Sequence, residues 1–142
     1  MAFFGGEFEH SLDEKGRIIL PSKFRGRLEQ LVISRGMNAR CVAIYPPDEF
    51  QSISERLTQA GGKAREVARF IYSGASEEEP DKQGRVGIPE PLRRYAGLQR
   101  EVTVIGVGNH IEIWDRSVWA DRMSGMEEQQ DALLVDGGDL PI

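Results

Sequence analysis

The chain has 142 residues, 39% hydrophobic and 29% charged, with one cysteine and a formal net charge of −5. That size suits one ordinary domain or two small modules on a shared core, and it needs no disulfide or metal staple. No run approaches the roughly 18 apolar residues that would span a membrane. Met1-Ala2-Phe3-Phe4-Gly5-Gly6 lacks the positive flank and apolar stretch of a signal peptide, so a cytoplasmic protein with a buried Cys41 thiol is expected.

Phe8, His10 and Leu12 alternate with Glu7, Glu9 and Ser11, the period of a half-buried strand. Asp13-Glu14-Lys15-Gly16 supplies a turn, with a carboxylate to accept backbone N–H groups and a glycine free to take positive φ. Arg17 leads into the β-branched run Ile18-Ile19-Leu20, read as the return strand, and Pro21 starts a short helix to about Leu28. Leu31-Val32-Ile33 reads as a strand and Cys41-Val42-Ala43-Ile44 as an apolar run. Pro47 or Asp48 to about Leu57 and Ala64 to Tyr72 read as helices, with Val67, Phe70 and Ile71 on one face of the latter.

The order then recurs. Asp81-Lys82-Gln83-Gly84-Arg85-Val86-Gly87-Ile88-Pro89 repeats the D-x-x-G-R-x-x-x-P pattern of 13–21. Pro21-Ser22-Lys23-Phe24-Arg25 parallels Pro89-Glu90-Pro91-Leu92-Arg93, and Ile44-Tyr45 with Phe50 parallels Ile113-Trp114 with Trp119. The chain is a tandem duplication. Pro80 makes the incoming strand of the second copy short or an edge, because proline cannot donate to a ladder. Glu101-Val102-Thr103-Val104-Ile105 and Ile111-Glu112-Ile113-Trp114 read as strands joined by a tight turn at Gly108-Asn109, and Ser117 to about Met123 as a closing helix. The expected organisation is a first module over 5–57, a helical linker over 58–76, a second module over 77–123, and an acidic, disordered tail over 124–142.

Charge distribution matters more than the total. Residues 121–142 carry six acids and one base, which accounts for the whole net charge of −5. Around the two motifs the balance is basic: Lys15, Arg17, Lys23, Arg25 and Arg27 against Asp13 and Glu14, then Lys82, Arg85, Arg93 and Arg94 against Asp81 and Glu90.

Phe8-Glu9-His10-Ser11-Leu12 running into Asp13–Arg17, then Asp81–Arg85, Tyr95-Ala96-Gly97-Leu98 and Ile111–Trp114, resembles the MraZ family of the AbrB/MazE/MraZ-like superfamily over about residues 1–122. The resemblance implies a β-rich α+β fold. Two tandem, pseudo-symmetric AbrB-like swapped-hairpin modules would form a barrel-like core with short helices. It implies a ring-shaped homo-oligomer, nucleoid-associated, that binds double-stranded DNA at short G-rich direct repeats and regulates transcription of the division and cell-wall gene cluster from upstream of its own operon. The family's DNA-contacting basic positions fall on Lys15 and Arg17, and in copy two on Arg85. Gln83 stands in the slot of Lys15, so copy two is expected to contact DNA less strongly, or only through Arg85 and Lys82. Pro80, Gly87 and the acidic tail are further local departures.

Taken singly, each arginine reads as one half of a surface pair with the aspartate four residues earlier. Such pairs add little stability, whereas a bidentate guanidinium on guanine is worth about 1–3 kcal/mol. Repetition of the motif favours DNA contact. Asp13, Gly16, Pro21, Asp81, Gly84 and Pro89 are read as structural, shaping the turns and starting the short helices. His10, His110 and Cys41 have no second ligand at metal-like spacing, so neither metal nor cofactor is expected. Gly106-Val107-Gly108-Asn109-His110 is a turn, not a dinucleotide loop, and Glu77-Glu78-Glu79 a solvated charge run. Tyr45, Phe50, Trp114 and Trp119 are expected in the core or a subunit interface. No base–nucleophile pair supports an enzyme. The alternative is an antitoxin-like module that binds a toxin through Ala132-Leu133-Leu134-Val135 in the tail.

Overall fold

The computed structural model describes residues 3–130. Two halves contribute matching sets of strands. The first supplies β1 (Glu7–Ser11), β2 (Arg17–Ile19), β3 (Leu31–Arg35) and β4 (Val42–Tyr45), followed by α1 (Pro47–Ala60) and α2 (Ala64–Ser73). The second supplies β5 (Ser76–Glu78), β6 (Arg85–Gly87), β7 (Glu101–Gly106) and β8 (Ile111–Asp115), with α3 (Glu90–Ala96) between β6 and β7 and α4 (Arg116–Glu128) closing the half.

Six strands form an antiparallel sheet in the order β1-β7-β8-β4-β3-β5, and β2 and β6 pair as a separate two-stranded ribbon. The order reads the same after the halves are exchanged, which defines a pseudo-two-fold axis. One end of that axis passes between Ala43 and Glu112 in the β4–β8 pair, the other between Ile18 and Val86 in the ribbon. The first strand of each half pairs with the other half: β1 with β7, and β5 with β3.

Strand periodicity puts alternate residues on two buried faces. On one face Leu31, Ile33, Val42, Ile44, Val102, Val104, Ile111 and Ile113 join Ile18 and Val86 of the ribbon, with Phe24 and Leu92 of the short helices, in the main core. The opposite face is split. Val32, Ala43 and Tyr45 pack with Phe50 and Ile53 of α1 and Ile71 of α2, while Cys41, Ile105 and Trp114 pack against Trp119 of α4. The matched aromatics occupy matched places: Tyr45 meets Phe50 edge-on at 5.7 Å between ring centroids, and Trp114 meets Trp119 at 5.3 Å. Cys41 is buried, and loss of water pushes its thiol up from the ordinary value.

Two expectations need correction. Among the described residues the sheet does not close into a barrel. β1 and β5 are its two edges, and Pro80, which cannot donate to a ladder, follows β5 after it has run for three residues. The short helix expected after Pro21 is present, as a 3₁₀ helix over Ser22–Arg27 where the second copy forms the α-helix α3. Gly26 stands where α3 has Arg94, and glycine loses more freedom in a helix than other residues do. Finally, α4 runs through Glu128, so 124–128 is helical; Asp115 caps its start by accepting from the Val118 amide. The rest of the expected tail, 131–142, lies outside the described residues.

Neighbouring residues on β2 have opposite duties. Ile18 is fully buried and Ile19 is 44% exposed. Ile18→Ala should therefore destabilise the fold by about 2–5 kcal/mol, the range for a buried aliphatic truncation. Ile19→Ala should stay within about 0.5 kcal/mol. Urea unfolding of both variants checks this, and equal losses would refute the placement of the ribbon.

Candidate nucleic-acid interface

The two D-x-x-G-R motifs become two turns of the same geometry. In copy one, Asp13 Oδ1 accepts from the amides of Lys15 (2.9 Å) and Arg17 (2.8 Å), and Gly16 donates to the Asp13 carbonyl. In copy two, Asp81 Oδ1 accepts from the amides of Gln83 and Arg85, both at 2.9 Å, and Gly84 donates to the Asp81 carbonyl. An aspartate suits this place because its short carboxylate reaches two amides across the turn.

The second carboxylate oxygen orients the arginine. Arg17 Nε donates to Asp13 Oδ2 at 2.7 Å, and Arg85 Nε to Asp81 Oδ2 at 2.7 Å. Both guanidinium side chains are about one-third exposed, at 30% and 31%. Because Nε takes the intramolecular bond, the planar fork is held by one edge, and its terminal nitrogens make no other hydrogen bond among the described residues.

The ribbon brings the copies together. Ile18 pairs with Val86 at its centre, both inward; Arg17 stands opposite Gly87 and Ile19 opposite Arg85 on the outward face. Two cross-half bonds extend the ladder, from the Leu20 amide to the Gly84 carbonyl and from the Ile88 amide to the Gly16 carbonyl, at 2.9 and 3.0 Å. Arg17 and Arg85 thus lie diagonally on one face, with Lys15 and Lys82 exposed on the turns at its ends. All four basic residues singled out from the sequence belong to this one ribbon and its two turns.

Arg25 and Arg93 are a further basic pair, one from each copy. Arg25 Nε donates to the Leu20 carbonyl and lies over Gly84; Arg93 donates to the Ile88 carbonyl and lies over Gly16. Each arginine therefore braces the turn of the other half. Gly16 and Gly84 are required by φ of +75° and +80°, and a Cβ at either position would displace the arginine that lies over it. The matched pentapeptides ending in Arg25 and Arg93 carried the only sequence signal for this pair. Pro21 and Pro89 cap the helices that hold them.

A duplicated chain whose halves exchange strands and meet in a paired basic hairpin is a two-module protein of one fold unit. The family model described as "MraZ protein, putative antitoxin-like" matches residues 3–70 and again 71–134. The chain belongs to the MraZ family. No helix among the described residues is long and apolar enough to cross a membrane.

The turns have an acid limit. The Arg17 amide is the largest cause holding the Asp13 carboxyl below its ordinary 3.8. Slight loss of water opposes it, and the Arg17 guanidinium and Lys15 amide reinforce it. The Arg85 amide and then its guanidinium do the same for Asp81, against the same ordinary value of 3.8. A carboxyl lowered on folding stabilises fully above its unfolded value and ceases to do so as pH falls through the folded one. The turns should hold at neutral pH and loosen only below 3.8. Carboxyl titration by NMR should give both midpoints below that value, and midpoints at or above it would contradict the bonding.

Proposed function

We propose that the chain is a sequence-specific, duplex-DNA-binding transcriptional regulator that lays the β2–β6 ribbon into the major groove. The observation that carries this reading is the paired placement of Arg17 and Arg85 on one outward face, each held through Nε by its own aspartate. The major groove, about 12 Å wide, admits a two-stranded ribbon, and guanine offers O6 and N7 to a guanidinium fork. Pre-orientation lowers the entropy lost on contact. Lys15 and Lys82 fit phosphate contacts at the flanks, which position the ribbon without reading sequence.

The strand exchange of β1 and β5 supports reading each half as an AbrB-like swapped-hairpin module. The family resemblance adds the target: short G-rich direct repeats upstream of the division and cell-wall gene cluster, bound as a nucleoid-associated ring. Exposed apolar side chains support assembly. Val67, Phe70 and Tyr72 on α2 lie on the β3–β4 side of the sheet, and Val118 on α4 on the β7–β8 side. Such unlike surfaces meet head-to-tail, and heterologous contacts close into rings when the rotation permits. Several modules on repeated sites would raise affinity without new contacts. The antitoxin-like alternative depends on 132–135, which lies outside the described residues.

Arg17→Ala should keep the fold and assembly and lose about 1–3 kcal/mol of specific binding per engaged module. Log K should fall with log salt at about −0.9 per neutralised phosphate, and Lys15→Ala should flatten that slope. Mobility-shift titration with the upstream duplex reads both effects, with light scattering on the same samples to report the oligomer. Undiminished binding by a folded Arg17→Ala chain would refute the assignment.

A further inference from the structure

The outward face of the ribbon keeps the two-fold symmetry in its charges and breaks it in its apolar surface. Arg17 and Arg85 are equivalent positions, and so are Ile19 and Gly87. One half therefore presents a branched aliphatic side chain, 44% exposed, beside Arg85; the other presents bare backbone beside Arg17. Ile19 belongs to none of the three apolar clusters, which hold its neighbours Ile18 and Leu20. It fills no core, and it stands between two oriented guanidinium groups.

We infer that Ile19 is a specificity-determining residue of this ribbon: it packs on the C5-methyl of a thymine and thereby gives the ribbon a direction along the duplex. This rests on the DNA reading above. Two arginines related by a two-fold axis would read the same word in either direction. Only an unlike pair such as Ile19 and Gly87 distinguishes one direction from the other. On the floor of the major groove the thymine methyl is the one apolar feature, and aliphatic side chains match it as arginine matches guanine. The turns add to the asymmetry, since Glu14-Lys15 in copy one faces the duplex where copy two has Lys82-Gln83. Ile19 stands directly across the ribbon from Arg85. Cross-strand neighbours lie about 4.5–5.5 Å apart, against about 3.4 Å per base step. The thymine it reads therefore falls within one or two steps of the guanine read by Arg85.

The test uses the full chain and a random-sequence duplex library. Bound duplexes are enriched, and each thymine of the enriched site is then replaced singly by deoxyuridine, which removes the C5-methyl and nothing else. The wild-type chain should lose about fourfold in affinity per engaged module at one thymine next to a guanine, the effect of one methyl-sized burial. Ile19→Ala should bind the thymine and uracil duplexes equally and keep its dependence on guanine. Gly87→Ile supplies an independent gain: its Cβ would meet only Arg17 Cγ, at 4.0 Å, so the strand accommodates it. It should bring a second thymine preference on the opposite strand. A guanine preference with no uracil penalty, or the same penalty in Ile19→Ala, overturns the role of Ile19 alone. Failure of the wild-type chain to enrich any duplex overturns the DNA reading and this inference with it.

Discussion

The pairing of β2 with β6 is the contact on which the rest of the molecule depends. Each of these strands is three residues long, and neither pairs with a strand of its own half. A two-stranded ribbon this short does not stand alone in water. It is held because Ile18 and Val86 turn inward onto the sheet, and because bonds to the Gly16 and Gly84 carbonyls lengthen the ladder at both ends. The exchange of β1 and β5 feeds the same constraint, since each turn is carried to the axis by a strand anchored in the opposite half. Neither half can bury its core without the other.

That arrangement explains how an acidic chain can carry a cationic working surface. The excess of acid falls in 121–142, while the axis of the molecule collects arginines from both copies. They divide into two kinds. Arg25 and Arg93 point to carbonyls and brace the turns; Arg17 and Arg85 are held by carboxylates at the surface and remain one-third exposed. The same motif thus supplies turn geometry through its aspartate and glycine, and recognition capacity through its arginine. Duplication doubles the surface, and the later divergence of Ile19 from Gly87 and of Lys15 from Gln83 lets one copy differ from the other.

Much of this was legible in the residues. The alternation of Phe8, His10 and Leu12, the Asp–Gly turns, the short strand before Pro80 and the turn at Gly108 all follow from local rules, and each stands as expected. The repeat pointed to Arg17 and Arg85, and the family resemblance added Lys15 and, in place of a match at Gln83, Lys82. What local rules do not carry is long-range pairing: nothing in β1 alone says that its partner is β7, 90 or more residues away, and the open sheet follows from such pairings. The bracing role of Arg25 and Arg93 was hidden for the same reason, since each acts on the other copy's turn. At the C-terminal end, composition misled. Gly125 and the acids of 124–128 read as disorder, yet α4 buries no residue fully and is a solvated helix started by the Asp115 cap.

In the proposed function the β2–β6 ribbon, and not the helical layer, meets DNA. Hydrogen exchange read by mass spectrometry, on the full chain with and without the duplex upstream of its own gene, tests this most directly. Exchange should slow in peptides covering 12–20 and 80–88, with α1 and α2 unchanged. Slowing confined to α1, α2 or α4, with the ribbon unaffected, would contradict it.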